Sequence, residues 1–295
     1  MRGTLCRLLT CIPCSGLVGS ALVAALSSAD VKVVRLPRNF GPSSLEGVDA
    51  VVHLAGENVA TGSGPLGFLG LQAWSEEKKA EIIRSRVEGT AAVVDAIKQS
   101  GSVKTLVCAS GVGIYGFDTG AAELDENAPK GTGFLAEEVV PSWEAAANAA
   151  PCRVVNARFG VILSKRGGAL GKLLPIFQLG GGGIIGSGDQ FFSWVSLADA
   201  VAAIEWILNK PSLKGPVNVC APEPVTNAQF TASLGARLFR PTLLPFPAAA
   251  VKLLFGQMGE EMLLGGQRAV PSKLTKSGFS FAHPSIDNGI AAALE

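Results

Sequence analysis

The chain has 295 residues, of which 48% are hydrophobic, which suits one large domain or one domain with a smaller appendage and is ample for a buried core. Lys and Arg total 25 against 24 for Asp and Glu, so the overall charge gives no reason to expect a nucleic acid or an anionic membrane as partner. No run of 18 uninterrupted apolar residues occurs, which argues against a spanning helix and favours a soluble intracellular protein.

Short apolar runs alternate along the chain with helical patterns, which is typical of βαβ units around a parallel sheet. Predicted strands lie at 31–36, 50–54, 104–109, 153–158 and 217–220, and predicted helices at 17–29, 75–99, 135–149, 168–179 and 197–209. After Pro222 the pattern changes to short helices separated by prolines. We therefore predict an α/β fold, with a Rossmann-type, doubly wound parallel sheet in a dinucleotide-binding domain at 1–215 and a smaller C-terminal lobe at 216–295.

The segment TCIPCSGLVGSAL at residues 10–22 is similar to a phosphate-binding turn. Such a turn needs little side-chain bulk, so that backbone N–H groups and the helix N-terminus can meet a pyrophosphate. Gly16 and Gly19 fit that need, although two glycines fit a glycine-containing start of an ordinary helix equally well. Pro13 stands where the first glycine is expected, and proline fixes φ and removes an N–H, while Cys14 adds bulk. Either the turn binds its cofactor weakly or the cofactor has been lost.

The ends of the next two predicted strands bear on which dinucleotide would bind. The second strand ends in VVRLPRN, which puts Arg38 where a Rossmann fold carries an acid for a ribose hydroxyl or a base for a 2′-phosphate. Because no acid stands there, NADP is favoured over NAD, and a solvated loop arginine is the alternative. The third strand ends in His53-Leu-Ala-Gly56, small residues that let an adenosine lie flat.

Six segments in order along the chain resemble one branch of the short-chain dehydrogenase/reductase superfamily. They are VVHLAGENV, IIRSRVEGT, ASGVGIYG, ARFGVILSKRGGAL, GSGDQFFSWVSLADA and GQRAVPSKL. The branch is the atypical epimerase family of sugar-nucleotide-epimerase-like proteins, with bacterial cytosolic members, a mammalian NADPH-binding member and a plant plastid member described as cell-division-inhibitor-like. The resemblance covers nearly the whole chain from Gly16, includes the family's own C-terminal lobe, and implies a Rossmann fold that binds NADP(H).

The resemblance also implies a set of cofactor-binding residues. They are Gly16, Leu17, Val18 and Gly19 at the phosphates, Arg38 at the 2′-phosphate, Leu54 and Ala55 beside the adenosine, Glu81 and Arg86 on the helix reading EIIRSR, and Ser110 and Ile162 near the nicotinamide. An exposed helix pair is the alternative for Glu81 and Arg86. Ser110 is also a candidate catalytic residue, and the catalytic residues are otherwise unknown.

One pattern of the wider superfamily is missing. Its reductases and epimerases use a tyrosine followed four residues later by lysine, which lowers the tyrosine pKa so that it can pass a proton. The only tyrosine here is Tyr115, and Thr119 stands four residues later. Where the pair is expected, the chain reads Phe134-Leu-Ala-Glu-Glu138. Candidates for a replacement acid, each of which also fits a surface carboxylate, are Glu137, Glu138, Glu57 and Asp125.

Two hypotheses follow for function. The first is an NADP(H)-binding, reductase-like or epimerase-like protein of unknown substrate with weak or no activity. The second is a non-catalytic structural or assembly subunit of a larger complex that uses the Rossmann body as an interaction surface. A regulatory sensor whose partner binding depends on NADPH lies between them.

Two further expectations concern metal and location. Six scattered cysteines are typical of reduced intracellular thiols, and although Cys11 and Cys14 have zinc-ligand or redox-pair spacing, no second pair accompanies them, so we predict no metal. The first 29 residues contain Arg2 and Arg7 and no acid, which is typical of a transit sequence and favours a plastid over the cytoplasm. A truncated start, a wrongly assigned start and a residual targeting segment all remain open.

Overall fold

Strands and helices alternate through the part of the chain that the computed structural model describes, residues 8–12, 15–27, 32–36, 40–60 and 73–295. The strands are β1 Leu8–Ile12, β2 Lys32–Arg35, β3 Ala50–His53, β4 Thr105–Gly111, β5 Asp118–Leu124, β6 Arg153–Phe159, β7 Val161–Leu163, β8 Phe191–Phe192, β9 Trp194–Ser196, β10 Gly215–Val219, β11 Val225–Thr226 and β12 Gly266–Ala269. The helices are α1 Leu17–Leu26, α2 Glu76–Ser100, α3 Val140–Asn148, α4 Gly168–Gln178, α5 Leu197–Asn209, α6 Asn227–Leu238, α7 Ala248–Gly259, α8 Ser272–Lys276 and α9 Ile286–Leu294.

Six of these strands form a parallel sheet in the order β10-β6-β4-β3-β1-β2. One face packs against α1 and α5, where Leu22 and Ile204 are fully buried. The other face packs against α2 and α3, where Ile97 and Trp143 belong to a second buried cluster. Helices on both faces of a parallel sheet confirm the doubly wound Rossmann-type fold predicted from the sequence.

The five predicted strands and five predicted helices are confirmed where the structure describes them, but one helix is divided and the prediction omits β1 and the six strands outside the main sheet, β5, β7, β8, β9, β11 and β12. The prediction omits β1, because Thr10 interrupts its apolar run, yet the Thr10 side chain is fully buried between β2 and β3. The predicted helix at 135–149 is divided into a π-helical turn, Leu135–Val139, and α3. Pro141 stands in the first turn of α3, where its missing N–H costs little.

Helix α2 carries Arg86 toward the sheet, and its sequence fixes both of its ends. The Ser75 side chain caps the start by accepting from Lys78 N at 3.2 Å, and Gly101 ends the helix at a φ of 63°, in the left-handed region that glycine tolerates. The apolar residues Ile82 and Ile97 lie on the buried face. Arg86 shares that face and is therefore held beside the core.

The C-terminal region after β10 runs from β11 to α9, and two of its elements, β12 and α8, contact the first part of the chain. Strand β12 pairs in parallel with β5, and α8 packs beside β10. The carboxylate of Glu261 accepts from Phe134 N at 2.8 Å and Leu135 N at 3.3 Å.

The domain boundary between residues 215 and 216 stays a prediction. Within the described residues no helix is both long and apolar enough to cross a membrane.

Candidate functional site

A cavity of about 530 Å³ opens at the carboxyl ends of β3, β4 and β6, beside the turn that leads into α1. This is where open α/β sheets bind their ligands, and the volume is in the range of small-molecule sites. Eight of the predicted cofactor-binding residues line it, namely Gly16, Leu17, Val18, Gly19, Leu54, Arg86, Ser110 and Ile162.

The other three predicted residues lie elsewhere. Ala55 lines an adjoining cavity of about 210 Å³, which meets the larger one at Gly56. Glu81 is 46% exposed, has Lys78 Nζ 3.5 Å away, and lies in the described lining of neither cavity. Arg38 lies outside the described residues, as do Pro13 and Cys14, so the structure does not test their predicted effects.

The start of α1 offers open space over a helix N-terminus. Gly16 is the N-cap, and its O accepts the first helical hydrogen bond from Ser20 N at 2.9 Å. A Cβ added at Gly16 would meet no protein atom within 4 Å. Because N–H groups at a helix start attract anions, this side of the cavity suits a pyrophosphate.

Arg86 supplies the only ionisable side chain in the described lining of the cavity. It is 9% exposed, donates Nη1 to Ile82 O at 3.2 Å, and has its Cζ 4.9 Å from the Trp143 ring centroid. Burial lowers its pKa to about 10, and the nearby Glu57 carboxylate partly offsets that shift. A Cβ at Gly56 would come within 3.3 Å of its Cζ, so a larger residue there would require the guanidinium to shift slightly. A buried cation at the wall favours an anionic or acceptor-rich ligand.

Ser110 lies at the end of β4, and its hydroxyl group donates a hydrogen bond within the protein. Its Oγ donates to Glu144 Oε1 at 2.7 Å. Glu144 in turn accepts from Arg158 Nε at 2.8 Å and Nη2 at 2.9 Å, a bidentate ion pair whose side chains are only 12% and 9% exposed. Toward the cavity Ser110 therefore presents lone pairs, and it suits a ligand group that donates rather than a carbonyl oxygen.

Tyr115 closes the same network and does not line the cavity in the part of the chain described. Its hydroxyl accepts from Arg158 Nη1 at 3.2 Å and donates to Asn218 Oδ1 at 2.8 Å. The residue is 1% exposed, and burial raises its pKa to about 12 despite the opposing effect of Arg158. The single tyrosine is thus a structural group that keeps its proton.

The wall where the superfamily carries its Tyr–Lys pair is apolar here. Leu135 and Val139, four residues apart, line the cavity. Phe134 packs with its ring centroid 5.0 Å from that of Trp74, and Glu138 is exposed. None of the other candidate acids lines the larger cavity in the described chain: Glu137 is exposed, Asp125 accepts from Asn127 N, and Glu57 pairs with Lys78 at 2.7 Å and lines the smaller cavity.

Sequence reasoning missed the groups that hold Ser110. Glu144 and Arg158 lie on α3 and β6, so no local spacing pairs them. The sequence hinted at these two residues only through their positions, since Arg158 lies within the segment ARFGVILSKRGGAL and Glu144 directly follows Trp143.

Two of the cysteines lie in the core. Cys108 and Cys220 are buried and free, and burial raises the pKa of Cys108 to about 12. Among the described residues, no group of three or more His, Cys, Asp or Glu side chains is arranged to hold a metal ion. Cys14, half of the predicted pair, lies outside them.

The fold and the cavity define an α/β protein of the Rossmann type with a ligand-sized cavity at the carboxyl ends of its parallel strands. The chain belongs to the NAD dependent epimerase/dehydratase family, whose model matches residues 14–220, and a domain of unknown function (DUF1731) matches residues 246–293. This confirms the resemblance seen in the six sequence segments.

Relatives cover nearly the full chain. Epimerase family protein Mb2239 of Mycobacterium bovis is 42% identical over 298 residues, with 95% of each chain covered. The Arabidopsis thaliana protein named Epimerase family protein SDR39U1 homolog, chloroplastic, is 39% identical over 257 residues, which cover 85% of this chain and 70% of that one. The crystal structure of human epimerase family protein SDR39U1 (isoform 2) with NADPH has a TM-score of 0.87 and 33% identity, covering 98% of this chain and 99% of that one.

Proposed function

We propose that this protein binds NADP(H) across the two adjoining cavities and lacks a side-chain acid–base pair for ordinary reduction or epimerisation. The observation that carries the proposal is the lining of the larger cavity. Its one ionisable residue in the described chain is Arg86, a buried cation, and it contains no carboxylate, histidine, tyrosine or lysine. Such a site binds an anion but cannot pass a proton through a titrating side chain.

The residues that line the two cavities support a dinucleotide as ligand. In this proposal the pyrophosphate lies over Gly16, Leu17, Val18 and Gly19, beside the start of α1, with Arg86 nearby. The adenosine extends past Leu54 toward Ala55 in the smaller cavity, and the nicotinamide lies between Ser110 and Ile162. The human relative solved with NADPH supports this assignment, since it shares the fold over 98% of this chain.

Two residues enter the proposal from the family resemblance rather than from the cavity. Arg38 would contact the 2′-phosphate and favour NADP over NAD. Glu81 would contribute from α2, where it is now half exposed. We therefore propose both as binding residues whose effect has to be measured.

Reduction of a carbonyl by hydride requires a proton at the oxygen, and the described lining offers no efficient source of one. The Ser110 hydroxyl donates its hydrogen bond to Glu144, and the buried Tyr115 hydroxyl is bonded to Arg158. We therefore expect turnover of NADPH to be slow or absent. The substrate is not specified by these groups.

The test is a titration with NADPH, followed by energy transfer from tryptophan, because Trp143 lines the cavity. We expect saturable binding that Arg86→Met weakens by roughly tenfold, the loss of one charge-assisted contact. Arg237→Met, an exposed arginine outside both described cavity linings, is the matched control and should bind normally. Arg38→Ala should weaken NADPH more than NADH. No saturation at millimolar NADPH would refute the proposal.

A second candidate function is a non-catalytic assembly subunit in which bound NADPH stabilises the form that partners recognise. It is favoured by the network from Ser110 to Tyr115, which joins the cavity wall to Asn218 on β10 and uses polar groups for structure rather than chemistry. Recovery of the native protein in a large stable complex, with no NADPH oxidation by that complex, is the expected result. A monomer that oxidises NADPH with a carbonyl substrate would exclude it. The plastid location stays a prediction to be tested by imaging the tagged full-length protein.

A further inference from the structure

A group of large apolar side chains projects from the C-terminal region, outside the described linings of both cavities. We name it the apolar ridge, and it consists of Leu179, Phe239, Leu243 and Leu244. Their exposed fractions are 89%, 89%, 81% and 62%, respectively. Side chains exposed to this degree protrude from the surface instead of lining a groove.

Two neighbouring segments hold the ridge in place. The side chain of Arg240 donates Nε to Gln178 O at 2.7 Å, which fixes the turn after α6 beside the end of α4. Further along, a Cβ on Gly183 would overlap the Leu244 carbonyl, so the two backbones are in direct contact. Phe246 N donates to Ile184 O at 2.8 Å and extends this contact. The four apolar side chains therefore come from adjoining, mutually bonded segments.

Phe239 is held in an unfavourable backbone conformation. Its φ is 53°, in the left-handed region, and it is the only non-glycine residue with positive φ in the part of the chain described. A bulky residue is uncommon there. The chain thus accepts both an exposed aromatic ring and a disfavoured backbone angle at this position.

The segments that carry the ridge are cationic. No Asp or Glu occurs in residues 145–188 or 224–259. Arg237 and Arg240 are exposed next to Phe239, and within the described residues neither forms an ion pair. The nearly neutral whole-chain charge therefore conceals a local surface that is apolar and positive.

We propose that the apolar ridge docks the protein on an anionic lipid bilayer, with Phe239 and the leucines inserted at the interface and Arg237 and Arg240 against the headgroups. Protruding apolar side chains can insert into a fluid bilayer interface, whereas a protein partner would need a complementary pocket for each of them. Basic residues at the rim add attraction to anionic lipid. A symmetric contact with a second copy would bring the same cations together, which disfavours it.

The proposal departs from the expectation drawn from the overall charge, which gave no reason to expect an anionic membrane as partner. It concerns the surface only, in agreement with the finding that no described helix could span a membrane. It is also independent of nucleotide binding, because no ridge residue lines either cavity in the described chain.

The test is co-sedimentation of the full chain with phosphatidylcholine vesicles containing about 30% phosphatidylglycerol, compared with pure phosphatidylcholine. We expect binding to the anionic vesicles only. The double variant Phe239→Asn/Leu243→Ser should lower the partition coefficient by roughly tenfold or more, and Arg237→Ser, which leaves the Arg240 hydrogen bond to Gln178 intact, by about fivefold. Asparagine suits the left-handed φ of residue 239, so the variant should fold and keep its NADPH response.

The matched control is Lys98→Ser, an exposed cation at the end of α2 and outside the ridge. It should bind vesicles like the parent protein. Equal binding to neutral vesicles, binding that survives the Phe239→Asn/Leu243→Ser change, or no binding at all would each overturn the proposal. Self-association that this variant abolishes, without vesicle binding, would overturn it in favour of a second copy.

Discussion

The two sides of the larger cavity use their residues in opposite ways. On the side of the α1 turn, Gly16 leaves open backbone, and the buried guanidinium of Arg86 lines the space beside Gly56. On the opposite side, Ser110 is bonded to Glu144, and through Arg158 the network continues to Tyr115. The polar groups beside the α1 turn are available to bind a ligand, while those of the opposite side form hydrogen bonds with one another.

That difference teaches that binding and chemistry can be separated within one cavity. A Rossmann site holds a dinucleotide mainly through backbone groups and a positive charge, so the proposed binding does not depend on proton-transferring side chains. The polar network opposite it contributes to stability and orientation. Changes on this side should therefore alter folding, and changes on the side of the α1 turn should alter binding.

The largest effect is expected from Glu144→Ala, which breaks the network. Arg158 would be left as a buried charge without its partner, and removing one member of such a pair costs about 3–5 kcal/mol of unfolding free energy. Urea unfolding of the variant measures this. Glu138→Ala, an exposed carboxylate on the adjoining turn, should change stability by less than about 0.5 kcal/mol. Equal small effects for both variants would contradict a structural role for the pair.

The ionisation of Tyr115 gives the next effect. Its pKa of about 12 in the folded chain exceeds the value near 10 expected when unfolded, so the stability it contributes is complete below about pH 10 and is lost as the pH rises toward 12. The full shift corresponds to roughly 2 to 3 kcal/mol. Because the chain has one tyrosine, the ultraviolet absorbance of tyrosinate reports this group alone.

The control for that titration is Tyr115→Phe, which should remove the tyrosinate signal and the steep loss of stability between about pH 10 and 12. It should also cost about 1–3 kcal/mol at neutral pH, because Arg158 and Asn218 each lose a bonding partner. A native titration with a midpoint near 10 would mean that the hydroxyl is accessible to solvent.

A change on the side of the α1 turn should spare the fold. Gly16→Val adds a side chain in an ordinary β-region conformation, φ −76° and ψ 171°, where no protein atom lies within 4 Å. We expect a loss of stability of about 1 kcal/mol or less, since valine is a poorer N-cap than glycine, and an NADPH affinity at least roughly tenfold lower. Gly41→Val is the matched control, with φ −98° and ψ 165° and equally open surroundings. Its NADPH affinity should be unchanged, as fluorescence titration can measure.

The smallest effect is expected from Ser110→Ala. Glu144 keeps its two bonds to Arg158, so the loss of one hydroxyl should cost only about 0.5–1.5 kcal/mol. NADPH affinity should change by less than about threefold, since Ser110 offers a ligand only an acceptor. Calorimetric titration beside Ser142→Ala, a hydroxyl outside the described cavity lining, gives the comparison. A loss of a hundredfold would mean that Ser110 has a larger binding role than the geometry supports.

Much of this site could be predicted from local sequence. Gly16 to Gly19 and Leu54 stand at the ends of strands, and a parallel sheet brings those ends to one edge. Arg86 could be expected only through the family resemblance, because on α2 it resembles any surface arginine. Its burial against Trp143 depends on how α2 and α3 pack.

By itself the sequence determined the alternation of strands and helices that defines the fold class, the glycine turn, the family and the absence of a Tyr–Lys pair, because each is written in short segments or in single residue counts. Only the tertiary structure decided that Tyr115 is sealed behind Arg158, that Ser110 is bonded to Glu144, and that exposed leucines and arginines share one surface. These depend on contacts between residues as far apart as 103 positions in the chain, which no local pattern encodes.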